Sequence, residues 1–144
     1  LMALSDLTQV LRLEYHDRDE NSPLLEDEQL ERALRRAIVS INKDMNRSYS
    51  VDNQGNISPD LEDDDKEVLL LQALTVVCRM MQAKPARNFS FSSGDKKVDK
   101  TKQPAYWAEL GRSYQAQYSQ TVSERNPEYG GGVPDVIPQI YGQV

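Results

Sequence analysis

The stretch VLLLQALTVVCRMM, Val68 to Met81, limits the fold more than any other part of the chain. Its apolar residues are Val68, Leu69, Leu70, Leu71, Ala73, Leu74, Val76, Val77, Cys78, Met80 and Met81. The run is too long for a typical strand, and on a helix these residues cover most of the cylinder instead of one stripe. Such a helix must be covered on several sides, so other amphipathic elements have to pack around it. The run is shorter than the ~18–20 residues of a membrane span, which assigns it to a protein core. SPDLEDDD marks its start, with Asp64 and Glu67 as a variant capping box, and Lys84-Pro85 stops it.

Three further segments have the periodicity to cover it. Leu4, Leu7, Val10, Leu11 and Tyr15 form one helical stripe, with Ser5 or Asp6 as first-turn cap or dipole partner. From Glu26 to Met45, Leu30, Leu34, Ala37, Ile38, Ile41 and Met45 share a face, while Glu31, Arg32, Arg35, Arg36 and Lys43 fall mostly elsewhere. Glu26, Asp27 and Glu28 sit where the helix dipole favours acids. A last helix runs from Pro104, a favoured first-turn residue, to Arg125, with Trp107, Leu110, Tyr114, Tyr118 and Val122 as its stripe. Gly111 inside it costs roughly 1 kcal/mol against Ala, which close approach of a neighbouring element would explain.

Between the second and third helices, Tyr49, Val51 and Ile57 flank DNQGN. A short β-hairpin or extended loop is expected there, with Gly55 at positive φ. HDRDENSP, after the first helix, reads as a loop. The tail NPEYGGGVPDVIPQIYGQV has three prolines, four glycines and no basic residue, so it is not helical, yet it is rich in aliphatics. The expected fold is all-α: a four-helix bundle over residues 1–125, with a short hairpin or extended loop, and an extended C-terminal tail over 126–144.

Chemistry is sparse. FSFSSGDKKV, from Phe89, superficially resembles a phosphate loop, but only Gly94 is present and Lys97 is followed by Val98 where the motif needs Ser or Thr. In DNQGNISPDLE, Asp52, Gln54 and Asn56 follow calcium-loop spacing, but Gly55 is misplaced and Glu62 comes one position early. A plain turn is the simpler reading. His16 is the only histidine and Cys78 the only cysteine, so no structural zinc site or internal disulfide is expected. Cys78 reads as a buried small hydrophobe. No catalytic residues, metal or cofactor are expected, and no membrane span. With no basic leader at the start, the expectation is a soluble intracellular chain.

Charge is uneven. The net charge is −6, which argues against a chain that coats nucleic acid. Yet Lys84, Arg87, Lys96, Lys97, Lys100 and Lys102 cluster against Asp95 and Asp99. Acids dominate from Glu14 to Glu31 and again from Asp60 to Glu67. Opposite patches on one small domain suit head-to-tail packing of identical subunits. An aliphatic tail punctuated by prolines suits docking, for instance by strand addition to a partner's sheet edge. Two other readings compete. One is a small helical nucleic-acid binder of a DNA-packaging machine, using Lys96, Lys97, Lys100 and Lys102 on phosphates. The other is a metal-dependent enzyme using Glu62, Asp63, Asp64 and Asp65.

Three segments carry a resemblance: DEQLERALRRAIVSIN (Asp27 to Asn42), DKEVLLLQALTVV (Asp65 to Val77), and NFSFSSGDKKVDKTKQPAYWAEL (Asn88 to Leu110) leading to YQAQYSQTV. In this order, over roughly Leu4 to Val122, the chain resembles the head–tail connector, or adaptor, proteins of tailed bacteriophages. The resemblance implies a helical subunit of a homo-oligomeric ring, usually dodecameric, beneath the capsid portal. Such a ring lies in the virion neck, is made in the host cytoplasm, and extends the DNA channel. Its implied partners are the portal protein, neighbouring copies, the downstream neck or tail protein, and DNA passing through without sequence-specific binding. The implied contacts are Tyr129, Val133, Val136, Ile137, Ile140 and Tyr141 of the tail, against the portal or a neighbouring subunit. Phe89 and Phe91 would pin the loop to the helices, with Lys96, Lys97, Lys100 and Lys102 facing a neighbour or DNA.

Overall fold

The computed structural model describes residues 2–15, 24–83 and 104–129. In chain order these form β1 (Met2–Ala3), α1 (Leu4–Glu14), α2 (Asp27–Asp44), β2 (Ser50–Val51), β3 (Asn56–Ser58), α3 (Asp63–Ala83) and α4 (Pro104–Arg125). The four helices make the chain mostly helical, and the strands form one small antiparallel sheet in the order β1-β3-β2.

Helix α3 is the centre. Val68, Leu69, Ala73, Leu74, Val76, Val77, Cys78 and Met81 are all buried, by α2 on one side and α4 on another, with α1 closing over the seam. The near-complete apolar cylinder requires this environment. The helix starts one residue before the expected capping box, so Asp64 lies inside the first turn. The Glu62 carbonyl accepts the first turn's bond from the Lys66 N–H (2.8 Å).

Cross-helix contacts show that consecutive helices run antiparallel. Arg12 near the end of α1 pairs with Asp27 at the start of α2 (2.6 Å). Arg47, just past α2, reaches Asp65 in the first turn of α3, and Arg125 at the end of α4 reaches the Asp64 carbonyl. The start of α1, the end of α2, the start of α3 and the end of α4 therefore share one end with the sheet. The end of α1, the start of α2, the end of α3 and the start of α4 lie at the opposite end.

Each terminus has a local cause. The Ala3 N–H donates to Asp6 Oδ2 (3.2 Å), so Asp6 is the first-turn partner of α1. Just past α2, Asn46 takes φ 56°, a left-handed turn that asparagine tolerates. The Arg47 N–H then returns to the Asn42 carbonyl (3.1 Å).

The hairpin turn is held by Asp52, whose Oδ1 accepts from the backbone N–H groups of Gln54 and Asn56, both at 2.9 Å. This is the plain turn expected of DNQGN, with Gly55 at φ 84°. The Leu4 N–H donates to the Gly55 carbonyl (2.8 Å), tying α1 to that turn. The sequence reading had two strands at most. The third is β1, which pairs Met2 with Ile57 and Ala3 with Asn56, so the small sheet qualifies the all-α expectation. Ile57 is fully buried and anchors the sheet to the core.

On α4, Trp107, Tyr118 and Val122 are buried, while Leu110 and Tyr114 pack half-buried. Trp107 meets the Tyr15 ring edge-on, centroids 6.1 Å apart, which closes α1 against α4. Gly111 has the expected reason: a Cβ there would lie 3.0 Å from Cys78 Cβ on α3. Glycine lets α3 and α4 approach more closely than alanine would without adjustment.

Candidate interaction surface

The shared end of the molecule is knotted by polar contacts around two carboxylates. Asp65, 1% exposed, accepts from Arg47 Nε (2.8 Å) and from the Tyr49 hydroxyl (2.6 Å). Asn42 holds Tyr49 in place, its side chain accepting from the Tyr49 N–H (2.9 Å) and donating to the Tyr49 carbonyl (2.8 Å). Burial alone would raise the Asp65 pKa. The bonds from Arg47 and Tyr49, with the charges of Arg47 and Arg125, outweigh it and hold the carboxyl below its usual value. Burial, then the bond to Asp65, pushes the Tyr49 phenol up to about 12. The second carboxylate, Asp44, accepts from the Tyr118 hydroxyl (2.7 Å), and its backbone carbonyl accepts from Asn126. These contacts carry the chain past α4 onto the body as far as Tyr129, half-buried with its hydroxyl 3.5 Å from Ser119 Oγ.

These groups tie the elements together. Asp65, one of the four acids considered for a metal, is committed to Arg47 and Tyr49. Among the described residues no group of three His, Cys, Asp or Glu could hold a metal ion. The Cys78 thiol is buried and its pKa is pushed up to about 12 by that burial, so it is not a thiolate at neutral pH. A groove of about 220 Å³ lies beside Gly111, with Arg79 and Arg112 on its walls. That is below the ~300 Å³ at which small-molecule pockets begin. A depression of about 680 Å³ over the start of α2 is lined by Glu26, Asp27, Glu28, Gln29 and Arg32, so among the described residues no second element closes it. No helix among the described residues is long and apolar enough to cross a membrane.

The surface itself is more informative. Arg32, Arg35, Arg36, Val39 and Lys43 are all exposed on α2. Their spacing puts them on one face, which runs roughly 16 Å along the axis at 1.5 Å per residue. Val39, 68% exposed, stands among the four cations. At the start of α3, Glu62, Asp63, Asp64 and Glu67 are exposed, with the half-buried Lys66 among them and Arg125 3.8 Å from Glu67. The basic α2 face was missed because its residues were treated as a solvated side. The signal was present in RALRRAIVSINK, where the basic positions recur at helical spacing around Val39.

Of the residues implied as contacts, only Tyr129 is described. Val133, Val136, Ile137, Ile140 and Tyr141 of the tail lie outside the described residues, as do Phe89, Phe91, Lys96, Lys97, Lys100 and Lys102 of the loop, and His16.

Comparison with family models, with curated proteins and with solved structures found no match. The functional reading therefore stands on the residues and their arrangement.

Proposed function

We propose that this chain is a structural virion protein, a ring adaptor in the neck of a tailed bacteriophage, between the capsid portal and the tail. Its four helices would form the bundle from which each subunit of the ring is built, with the C-terminal tail as a docking arm. The observation that carries the reading is the division of surface charge, a basic α2 face and an acidic α3 start on one small domain. Such a pair suits a contact repeated identically from copy to copy. The sequence resemblance to connector proteins supports the same assignment.

Physical function then needs no reaction. Many copies bind one symmetric partner, so modest contacts per subunit sum through avidity. A chain of net charge −6 surrounds DNA without gripping its phosphates, which favours passage. The polar contacts of Asp44 and Ser119 hold the chain on the body as far as Tyr129, which would give the arm a fixed base.

The test is binding to purified portal protein by the full chain and by a chain ending at Tyr129. The full chain is expected to bind. The shortened chain is expected to keep its helical circular dichroism and lose the binding. Equal affinity of the two would refute the docking role of the tail.

A further inference from the structure

We propose that the outer face of α2 docks on the start of α3 in a second copy of this chain. The proposal rests on the ring reading and names the two faces that would meet in it. The first face is Arg32, Arg35, Arg36 and Lys43 around Val39. Among the described residues no carboxylate forms an ion pair with any of these four cations, since the pairs present are Arg12 with Asp27, Arg47 with Asp65 and Arg125 with Glu67. The second face is Glu62, Asp63, Asp64 and Glu67. The cations beside it are the half-buried Lys66, Arg47, which is paired with Asp65, and Arg125, whose shortest contact goes to the Asp64 backbone carbonyl (2.7 Å), so with Asp65 the patch sets five carboxylates against three cations and stays net negative.

Two features select a second copy as the occupant. The charges are complementary, and no ion pair joins the two faces within one molecule. Opposite faces on like molecules steer encounter and fix register, and like faces repel. Val39 is the second feature. A phosphate backbone rewards only the cations, whereas an aliphatic side chain at the middle of the stripe fits an interface with an apolar centre and a charged rim. Because the two faces differ, the contact is heterologous. Each copy uses both faces, and successive copies close into a ring or continue as a filament, according to the rotation between them.

The experiment uses the full chain and charge reversal. One variant carries Arg32→Glu, Arg35→Glu and Arg36→Glu. The other carries Glu62→Lys, Asp63→Lys and Glu67→Lys. All six side chains lie at the surface, and circular dichroism checks that the helices persist. Because the acids also favour the helix start, a milder Glu62→Gln, Asp63→Asn, Glu67→Gln variant accompanies the second. Sedimentation over a range of protein and salt concentrations reads the mass. The wild-type chain is expected to associate, and more weakly as salt rises. Each reversed variant alone is expected to associate at least tenfold more weakly, and the neutral variant to fall between. An equimolar mixture of the two reversed variants is expected to recover assembly, because the acidic α2 face of one then meets the basic α3 start of the other.

Association of the reversed variants at wild-type strength would overturn the proposal, as would a mixture no stronger than its components. A wild-type chain that stays monomeric throughout would overturn it too, while leaving a ring built on the portal itself intact. If the Arg-reversed variant lost binding to a DNA duplex but kept its self-association, the α2 face would be a nucleic-acid surface and the proposal wrong.

Discussion

Replacing Asp65 with alanine probes the knot at the shared end of the helices. The carboxylate is 1% exposed and takes the Tyr49 hydroxyl at 2.6 Å and Arg47 Nε at 2.8 Å. Without it, a hydroxyl on a residue 7% exposed loses its acceptor, at a cost of about 1–3 kcal/mol. The Arg47 side chain is 38% exposed, so it rehydrates, and its share is held to the ~0–1 kcal/mol of a surface pair. Together these give about 1–4 kcal/mol. At roughly 4 °C per kcal/mol for a domain of this size, Tm should fall by about 4–16 °C. Thermal unfolding followed by circular dichroism measures it, with urea titration as the second route to the free energy. The double variant with Tyr49→Phe leaves no orphaned hydroxyl, so it should cost less than the two single changes added together. A loss under about 0.5 kcal/mol for Asp65→Ala, or strict additivity with Tyr49→Phe, would refute the reasoning.

Other outcomes follow from the same contacts. The folded-state pKa of Asp65 is depressed, so its contribution is full above the ordinary aspartate value and is lost as pH falls through the folded value. Asp65→Asn should therefore flatten the acid limb of a stability-versus-pH curve. Tyr49 is raised to about 12, so its contribution is full below the ordinary tyrosine value near 10 and is lost as pH rises towards 12. Tyr49→Phe should flatten part of the alkaline limb, with Tyr118, raised by burial and its bond to Asp44, supplying the rest. Gly111→Val forces a branched side chain against Cys78, where a Cβ alone already stands at 3.0 Å, and should cost about 1–3 kcal/mol in a urea titration. Gln72 is buried with Oε1 lacking a partner among the described residues, while its Nε2 donates to Ser40 (3.3 Å). Gln72→Met should be neutral or stabilising by about 1 kcal/mol in the same assay. The Cys78 thiol should react with a disulfide reagent only at the rate of unfolding.

Much of the fold was legible because its signals were local. Pro104 and Arg125 bound α4 as read, since proline is favoured in the first turn and the aromatic stripe runs out after Val122. The apolar cylinder of α3 required burial on several sides, and Gly111 required a close neighbour. Asp52 and Gly55 made the turn that short polar residues and a glycine specify.

What stayed illegible depends on distance along the chain. β1 is two residues long, too short for any alternation, and exists because Ile57 offers it an edge. Asp65 looked like one more acid in a solvated run. Its burial follows from Arg47 and Tyr49, far away in sequence, and nothing in EDDDK marks one aspartate as different from the next. The α2 face shows a third kind of miss. The spacing of Arg32, Arg35, Arg36 and Lys43 was in view, but a charged face reads as solvated until the opposite face of the same molecule is placed beside it.

The ring adaptor reading is tested most directly by electron microscopy of purified particles that carry this chain, with the chain marked by a bound antibody. The account predicts the label at a single capsid vertex, on a ring whose repeating unit accommodates the four helices between portal and tail. A label on the capsid shell or tail tip, or particles without the chain, would contradict it.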